Sequence, residues 1–297
     1  MCDRFFVVNP ASGSGRARKL FEGLLPQIEK SGLSFEWRYT TGKGHAKELA
    51  EEAAKRGCRR VISVGGDGTA NEVAGALIGS DTEMGILPFG TGNDFAKAVG
   101  LPADPGAALR TALYGETQSV DAATANDRPF INVGGTGFDV DVILNTEKFK
   151  KRFNGMLPYM LGIFQSLMHL KPVTFRITAD GESFTERALL FNACNGTHFA
   201  GGMHVAPMAS PKDGLLDVCI LRAISVPQFL LLLPRYTRGA HTASRHIRYF
   251  KAKEITVRCD SENIINLDGE LDSSTPATFR VLPGAIKLAL PGEKGNR

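Results

Sequence analysis

Several features that would classify this 297-residue chain at a glance are missing from it. Its five cysteines, Cys2, Cys58, Cys194, Cys219 and Cys259, are odd in number, scattered, and form no CxxC pair. That excludes a disulfide framework and reads as reduced, buried thiols of a cytoplasmic protein. No apolar run approaches the length of a membrane span; the longest, Phe229-Leu230-Leu231-Leu232-Leu233, sits between Pro227 and Pro234. No leader peptide is expected, because Met1-Cys2-Asp3-Arg4 runs straight into the short apolar stretch 5–8. Membrane contact, if made, is therefore expected to be peripheral. The six histidines show no metal-binding spacing and read as surface or structural. A net charge of +4 suits anionic partners, but no basic–aromatic stripe accompanies it, so a nucleic-acid module is excluded. The GxxxxGK[ST] run of a P-loop is absent, and Arg18 stands where a dinucleotide fingerprint beginning at Gly13-Ser14-Gly15 needs its third glycine.

What is present is an alternation of apolar runs and amphipathic stretches. Strands are predicted over 5–8, 34–40, 61–64 and 85–87, with helices over 17–31, 45–56, 71–78 and 107–113. This rhythm predicts an α/β domain over 1–122 with a mostly parallel sheet and helices on both faces. Beyond Asp121 strands dominate, at 130–133, 173–179, 188–193, 216–221, 255–259 and 279–282, with helical patches near 155–170 and 227–238. A second, mainly β domain is predicted over 123–297. No internal repeat or low-complexity tract is visible.

The most telling run is Val64-Gly65-Gly66-Asp67-Gly68-Thr69-Ala70-Asn71-Glu72, which follows a buried-strand pattern and leads into a helical one. Glycines at such a turn leave backbone N–H groups bare to a polyphosphate, and a helix N-terminus adds partial positive charge. The aspartate among them repels phosphate unless a cation intervenes, so the run points to a nucleotide with Mg²⁺. Two other turns follow predicted strands: Asn9-Pro10-Ala11-Ser12-Gly13, and Gly90-Thr91-Gly92-Asn93-Asp94. Each reads as a plain turn or helix cap on its own and as a second wall of the same nucleotide site in company.

Acidic positions recur later. Asp121 ends a strand-like segment and could meet Asp67 and Asp94 around a metal. Pro211-Lys212-Asp213-Gly214-Leu215 reads either as a turn or as a hard-cation site. Asn266-Leu267-Asp268-Gly269-Glu270 reads either as a hairpin turn or as two carboxylates on one strand face, placed to take a hydroxyl proton. The segments 155–170 and 229–236 read as core helices or amphipathic lids. Lys148, Lys150, Lys151 and Arg152 read as a solvated run or an anionic-lipid contact.

Taken together, Asn9-Pro10-Ala11-Ser12-Gly13, Thr40, Gly65-Gly66-Asp67-Gly68-Thr69, Gly90-Thr91-Gly92-Asn93-Asp94, Asp121, Asp213-Gly214-Leu215 and Asp268-Gly269-Glu270 resemble the diacylglycerol kinase catalytic family of bacterial lipid kinases. The Gly-Gly-Asp-Gly-Thr element is shared with NAD kinases, but its combination with Gly-Thr-Gly-Asn-Asp and the late Asp-Gly-Glu is specific. The resemblance implies an N-terminal α/β domain like that of NAD kinase and phosphofructokinase, a C-terminal β-sandwich, and ATP in the cleft between. It assigns ATP binding to Asn9, Pro10, Ala11, Ser12, Gly13, Thr40, Gly65, Gly66, Asp67, Gly68, Thr69, Ala70, Asn71, Glu72, Thr91 and Asn93. Asp67, Asp94 and Asp121 correspond to an acidic network around catalytic Mg²⁺; Asp213 with the carbonyls of Ser210 and Leu215 corresponds to a structural Mg²⁺ site. Asp268 and Glu270 correspond to the catalytic acids. The expected reaction is transfer of the γ-phosphoryl group of ATP to the hydroxyl of diacylglycerol or a related lipid alcohol at a membrane surface. The alternatives are an NAD kinase-like small-molecule kinase and a catalytically inactive nucleotide-binding regulator. A homodimer is left open.

Overall fold

The computed structural model describes residues 2–150, 152–153 and 157–292. In chain order the elements are β1 (Arg4–Val8), α1 (Arg16–Glu29), β2 (Phe35–Tyr39), α2 (His45–Lys55), β3 (Arg60–Gly65), α3 (Asp67–Leu77), β4 (Glu83–Pro88), α4 (Asp94–Ala98), α5 (Pro105–Tyr114) and β5 (Glu116–Ala125). There follow β6 (Arg128–Phe130), β7 (Val133–Gly137), α6 (Phe138–Lys150), α7 (Leu157–Met168), β8 (Val173–Ala179), β9 (Glu182–Cys194), β10 (Leu216–Arg222), α8 (Val226–Thr237), β11 (Ile247–Ala252), β12 (Glu254–Cys259), β13 (Ile264–Leu267), β14 (Glu270–Ser274) and β15 (Ala277–Leu290). They fall into two compact units. The first contains the described residues up to Ala122, Ser210–Gly214 and those from Leu282 onward; the second contains Ala123–Ala209 and Leu215–Val281.

The first unit is an α/β layer structure with parallel strands in the order β2-β1-β3-β4, joined on by Leu288 of β15 beside Met84. Every residue of β1 and β3 is buried, as strands covered by helices on both faces must be. α1 turns Ala17, Phe21, Leu24 and Ile28 inward at helical spacing. α5 begins where Asp104 accepts the Ala107 N–H (2.8 Å) and Pro105 occupies the first turn. The buried guanidinium of Arg60 joins Glu83 Oε2 (2.7 Å) to the carbonyls of Ala112 and Gly115, tying β3 and β4 to the end of α5.

The second unit is antiparallel and β-sandwich-like. β9 pairs with β7, β8 and β10; β12 pairs with β8 and the first half of β15; and β13 pairs with β7 and β14. Phe130, Phe175, Phe191, Phe279, Val218, Ile255 and Ile265 share one core. A second apolar cluster joins α6, α7 and α8 to β9, β10 and β11 through Val142, Leu167, Leu189, Leu221, Leu232 and Ile247.

Three local expectations change. The helix expected over 71–78 begins at Asp67, so the Gly-Asp-Gly-Thr segment is its first turn rather than a loop ahead of it. The strand expected over 130–133 is interrupted, because the N–H groups of Ile131 and Asn132 bond the Asp268 carboxylate instead of a neighbouring strand. The strand expected over 279–282 runs on to Leu290, and its part from Leu282 onward is in the first unit.

Candidate active site

Three turns of the first unit, all at the C-terminal ends of parallel strands, converge. After β1, the Asn9 side chain accepts the Ala11 N–H (3.1 Å) and donates to Thr69 Oγ1 (3.1 Å), fastening that loop to α3. Beyond β3, Gly65 O accepts the Phe89 N–H that follows β4 (2.8 Å). The third turn closes on itself, with the Gly90 N–H donating to Asn93 Oδ1 (2.9 Å). Gly66 and Gly90 pack backbone against backbone: a Cβ on Gly66 would lie 3.2 Å from Gly90 Cα and 3.3 Å from Ser12 Oγ, and one on Gly90 would collide with Gly66 Cα. Only glycine permits that approach. Gly68 differs, since its missing Cβ faces open space. No side chain caps the start of α3, so its first-turn N–H groups keep their affinity for an anion.

Asp67 and Asp94 face one another across this surface. A Cβ on Gly92 would lie 2.8 Å from Asp67 Oδ2 and 3.5 Å from Asp94 Oδ2. Burial and the charge of Asp94 push the Asp67 carboxyl above the usual carboxylate range, against the opposing hydrogen bond from the Phe95 N–H (3.2 Å). Asp94 is itself buried and bridged to Lys97 (3.2 Å). Among the described residues no three acidic, histidine or cysteine side chains gather closely enough to hold a metal by themselves. Two carboxylates beside a phosphate cradle fit Mg²⁺, which is commonly held by one or two carboxylates together with substrate oxygens.

Other expected site residues have different surroundings. Glu72 accepts the N–H groups of Gly44 (2.8 Å) and Ala46 (3.0 Å), so it caps α2. Ala70 is buried within the first unit's helix–sheet packing, the side-chain oxygen of Asn71 is buried without a partner, and Thr91 is exposed. Thr40 is held at the end of β2, its N–H donating to Val8 O (2.8 Å). Asp121 does not complete a three-carboxylate cluster with Asp67 and Asp94: its carboxylate accepts the N–H groups of Gly214 and Gly284, both at 2.8 Å. Those bonds, with Asp121 N–H to Pro211 O (2.8 Å), fix the loop carrying Asp213, whose N–H reaches Ser210 O (3.4 Å). Leu215 begins the following segment of the second unit.

In the second unit Asp268 and Gly269, with φ of 52° and 90°, form the two-residue turn between β13 and β14, closed by the Leu267–Glu270 pair. The expectation that Asp268 and Glu270 share a strand face therefore fails, because alternation stops where the backbone turns left-handed. Asp268 is held instead by three N–H groups: Ile131 to Oδ2 (2.8 Å), Asn132 to Oδ1 (3.1 Å) and Val133 to Oδ1 (2.8 Å). Three donors favour its charged form. Around it stand residues with no sequence signature. Asn266 Oδ1 accepts the Gly269 N–H (2.8 Å), and Asn266 Nδ2 donates to Asp139 Oδ2 (3.1 Å) at the start of α6. The Asn195 amide donates to Ile131 O (2.7 Å), and that of Asn132 donates to His198 O (2.7 Å). Burial pushes Asp139 up to about 6, and its Oδ1 has no partner.

His198 and His204 stack at 4.4 Å, and His241 is buried against Val205 O (2.9 Å). Burial pushes the Cys219 thiol up to about 12. Of the basic run, Lys151 and the Lys150 side chain lie outside the described residues.

Residues 3–125 match the family described as the diacylglycerol kinase catalytic domain, and residues 132–290 match the family described as the YegS C-terminal NAD kinase beta sandwich-like domain. The chain belongs to the diacylglycerol kinase family. A diacylglycerol kinase of Bacillus subtilis (strain 168) is 32% identical over 98% of this chain and 97% of its own length. One from Mycobacterium tuberculosis (strain ATCC 25618 / H37Rv) is 31% identical over 96% of this chain and 94% of its own. A crystal structure from Bacillus anthracis str. Sterne superposes with a TM-score of 0.83 at 25% identity, covering 98% of this chain and 95% of that one. The relatives mark a lipid kinase. Asn266, Asn132, Asn195 and Asp139, which belong to the hydrogen-bonded surroundings of Asp268, are passed over by motif reading; the one available signal is Asn266 two places before Asp268 in the late acidic run.

Proposed function

We propose that this protein is an ATP- and Mg²⁺-dependent lipid kinase that transfers the γ-phosphoryl group to a hydroxyl of diacylglycerol or a related lipid alcohol, giving phosphatidic acid or its analogue. The observation that carries the reading is the backbone-to-backbone closure of Gly66 on Gly90 beside an uncapped helix N-terminus and a buried Asp67–Asp94 pair. The N–H groups of Gly68 and its neighbours bind the phosphate tail. Asp67 and Asp94 would hold Mg²⁺, which would supply positive charge against that developing on the transferred group. Asp268, held in place by three N–H donors, serves as proton acceptor for the lipid hydroxyl, with Glu270 beside it in the hairpin. Most of the rate comes from positioning and electrostatics when the transition state is loose.

The test is label transfer from γ-labelled ATP to diacylglycerol in mixed micelles, with NAD in a parallel reaction. Labelled phosphatidic acid, with no labelled NADP and no product without Mg²⁺, is the expected result. Label in NAD would move the protein to the small-molecule kinases. Tight ATP binding without transfer to any lipid alcohol would mark a nucleotide-binding regulator.

A further inference from the structure

Two thiols of the first unit stand side by side. Arg4 of β1 and Arg60 of β3 are lateral partners in the parallel sheet, and two residues before each of them are Cys2 and Cys58. The Arg59 N–H donates to Cys2 O (3.1 Å) and the Arg60 N–H to Asp3 O (3.2 Å), which carries the pairing back to the two cysteines. Neighbouring strands run about 4.8 Å apart, and lateral partners point their side chains to one face. A disulfide spans Cα separations of roughly 4.4–6.8 Å, so this placement suits one. The side chains already interact: burial, then a hydrogen bond with Cys2 and the charge of Cys2, push the Cys58 thiol up to about 12.

The two thiols differ in access. Cys58 is 2% exposed and fixed where α2 ends: its N–H donates to Ala53 O (3.1 Å), and Gly57 before it takes the left-handed conformation, with φ of 74°. Its raised thiol is the poorer first nucleophile. Cys2 is half-buried, precedes β1, and donates its thiol to Arg4 O (3.2 Å). It lines a surface pocket with Ser34, Phe35, Glu36 and Arg56, in which Arg56 pairs with Glu36 (2.6 Å). Solvent therefore reaches Cys2, and Cys58 stands behind it. A partly exposed thiol near a guanidinium, with a second thiol in reach, is the arrangement of an attacking and a resolving cysteine. Cys194 and Cys219 of the second unit also influence one another, but both are 0% exposed and closed to an oxidant.

We propose that Cys2 and Cys58 are a modification site that a hydroperoxide converts to a reversible disulfide, with Cys2 attacking and Cys58 resolving. The Cys2 sulfur attacks one peroxide oxygen and the O–O bond breaks. The other half leaves as an alcohol, or as water from hydrogen peroxide, with the proton of the Cys2 thiol, and Cys2 becomes a sulfenic acid. The Cys58 sulfur then displaces that hydroxyl. The S–S bond forms, the S–O bond breaks, and the oxygen leaves as water with the Cys58 proton. The two thiols lose two electrons and the peroxide gains them; a dithiol reductant reverses the bond by exchange. Transient disulfides of this kind are the ones expected of a reducing compartment. The bond joins the segments that lead into β1 and β3, whereas the Asn9 loop and the Gly66 turn follow the far ends of the same strands. It staples the sheet away from those turns, and it is independent of the kinase reading.

The experiment treats the full folded chain with hydrogen peroxide in small molar excess, quenches it, alkylates the remaining thiols with iodoacetamide in denaturant, and maps an unreduced digest by mass spectrometry. Cys2→Ser and Cys58→Ala are treated in parallel. Wild type should yield a peptide cross-linked between Cys2 and Cys58 within one chain, with Cys194 and Cys219 alkylated. Its melting temperature should rise by about 5 °C and fall back with dithiothreitol, because the bond closes the long loop from 2 to 58. Cys58→Ala should stop at the Cys2 sulfenic acid, captured as its dimedone adduct, and Cys2→Ser should keep Cys58 reduced. The pairing is overturned if Cys2 and Cys58 both stay alkylatable, if Cys2 is bonded to another cysteine or a second chain, or if Cys58 is oxidised in Cys2→Ser. A cross-link that lowers the melting temperature would overturn its part as a staple.

Discussion

The two units hold their critical aspartates in opposite ways. In the first, Asp67 is buried beside another carboxylate and pushed toward its protonated form. In the second, Asp268 rests in a cradle of three N–H donors that favour its charge. The first arrangement is poor for the empty protein and good for a protein that takes up a divalent cation. The second supports the fold whether or not ligand is present. Two carboxylates can thus stand in different electrostatic settings, a neighbouring acid and burial at Asp67 and three N–H donors at Asp268.

The largest effect should come from the glycines that make the first unit's surface. Gly90→Ala forces a methyl group into Gly66 Cα. We expect it to lower stability by about 3 kcal/mol and to remove ATP binding, measured by thermal melt and calorimetry. Gly68→Ala places its methyl group in open space within α3. Its melting temperature should hold or rise while ATP binding falls at least about tenfold, because the methyl group blocks approach to the N–H groups. Equal loss of stability in both variants would dissolve the distinction between a packed glycine and a ligand-facing one.

Asp268→Ala should follow, leaving three N–H groups without their acceptor. A destabilisation of about 3 kcal/mol is expected by denaturant titration, together with loss of transfer activity. This differs from a purely catalytic acid, whose removal would leave stability untouched.

How much of this was legible beforehand follows from what each unit is built of. The first unit's site consists of missing side chains at strand ends, and Gly65-Gly66-Asp67-Gly68 and Gly90-Thr91-Gly92 are visible as letters. In the second unit Asp268 is held by the backbone N–H groups of Ile131, Asn132 and Val133, and the side-chain amides that brace this segment and its hairpin come from separate places: Asn132 after β6, Asn195 after β9 and Asn266 on β13. Each is an unremarkable asparagine in its own segment, and only pairing brings them to one hairpin. Glu72 shows the converse, since it lies inside the glycine–aspartate run yet bonds the start of α2. Helical and strand periodicity located most elements but not α6, β11, β13 or β14, where mixed patterns depend on tertiary partners.

A smaller effect should appear with pH at Asp139, which burial pushes up to about 6 from an ordinary 3.8. Because the folded state holds this proton more tightly than the unfolded one, stability is fully present below about pH 4 and declines as pH rises through 6. Asp139→Asn keeps the acceptor for Asn266 and removes the titration. The variant should match wild type at pH 4 and exceed it by at most about 3 kcal/mol at pH 8. A stability difference independent of pH would contradict this.

The central claim, that Asp67 is held at a cost to the empty protein in order to receive a cation with its nucleotide, is tested most directly by melting Asp67→Asn beside wild type with and without Mg²⁺ and ATP near pH 7. The account predicts a higher melting temperature for the variant alone, and a ligand-induced rise in wild type that the variant lacks. A variant that melts lower than wild type when empty, or that keeps the full ligand-induced rise, would contradict it.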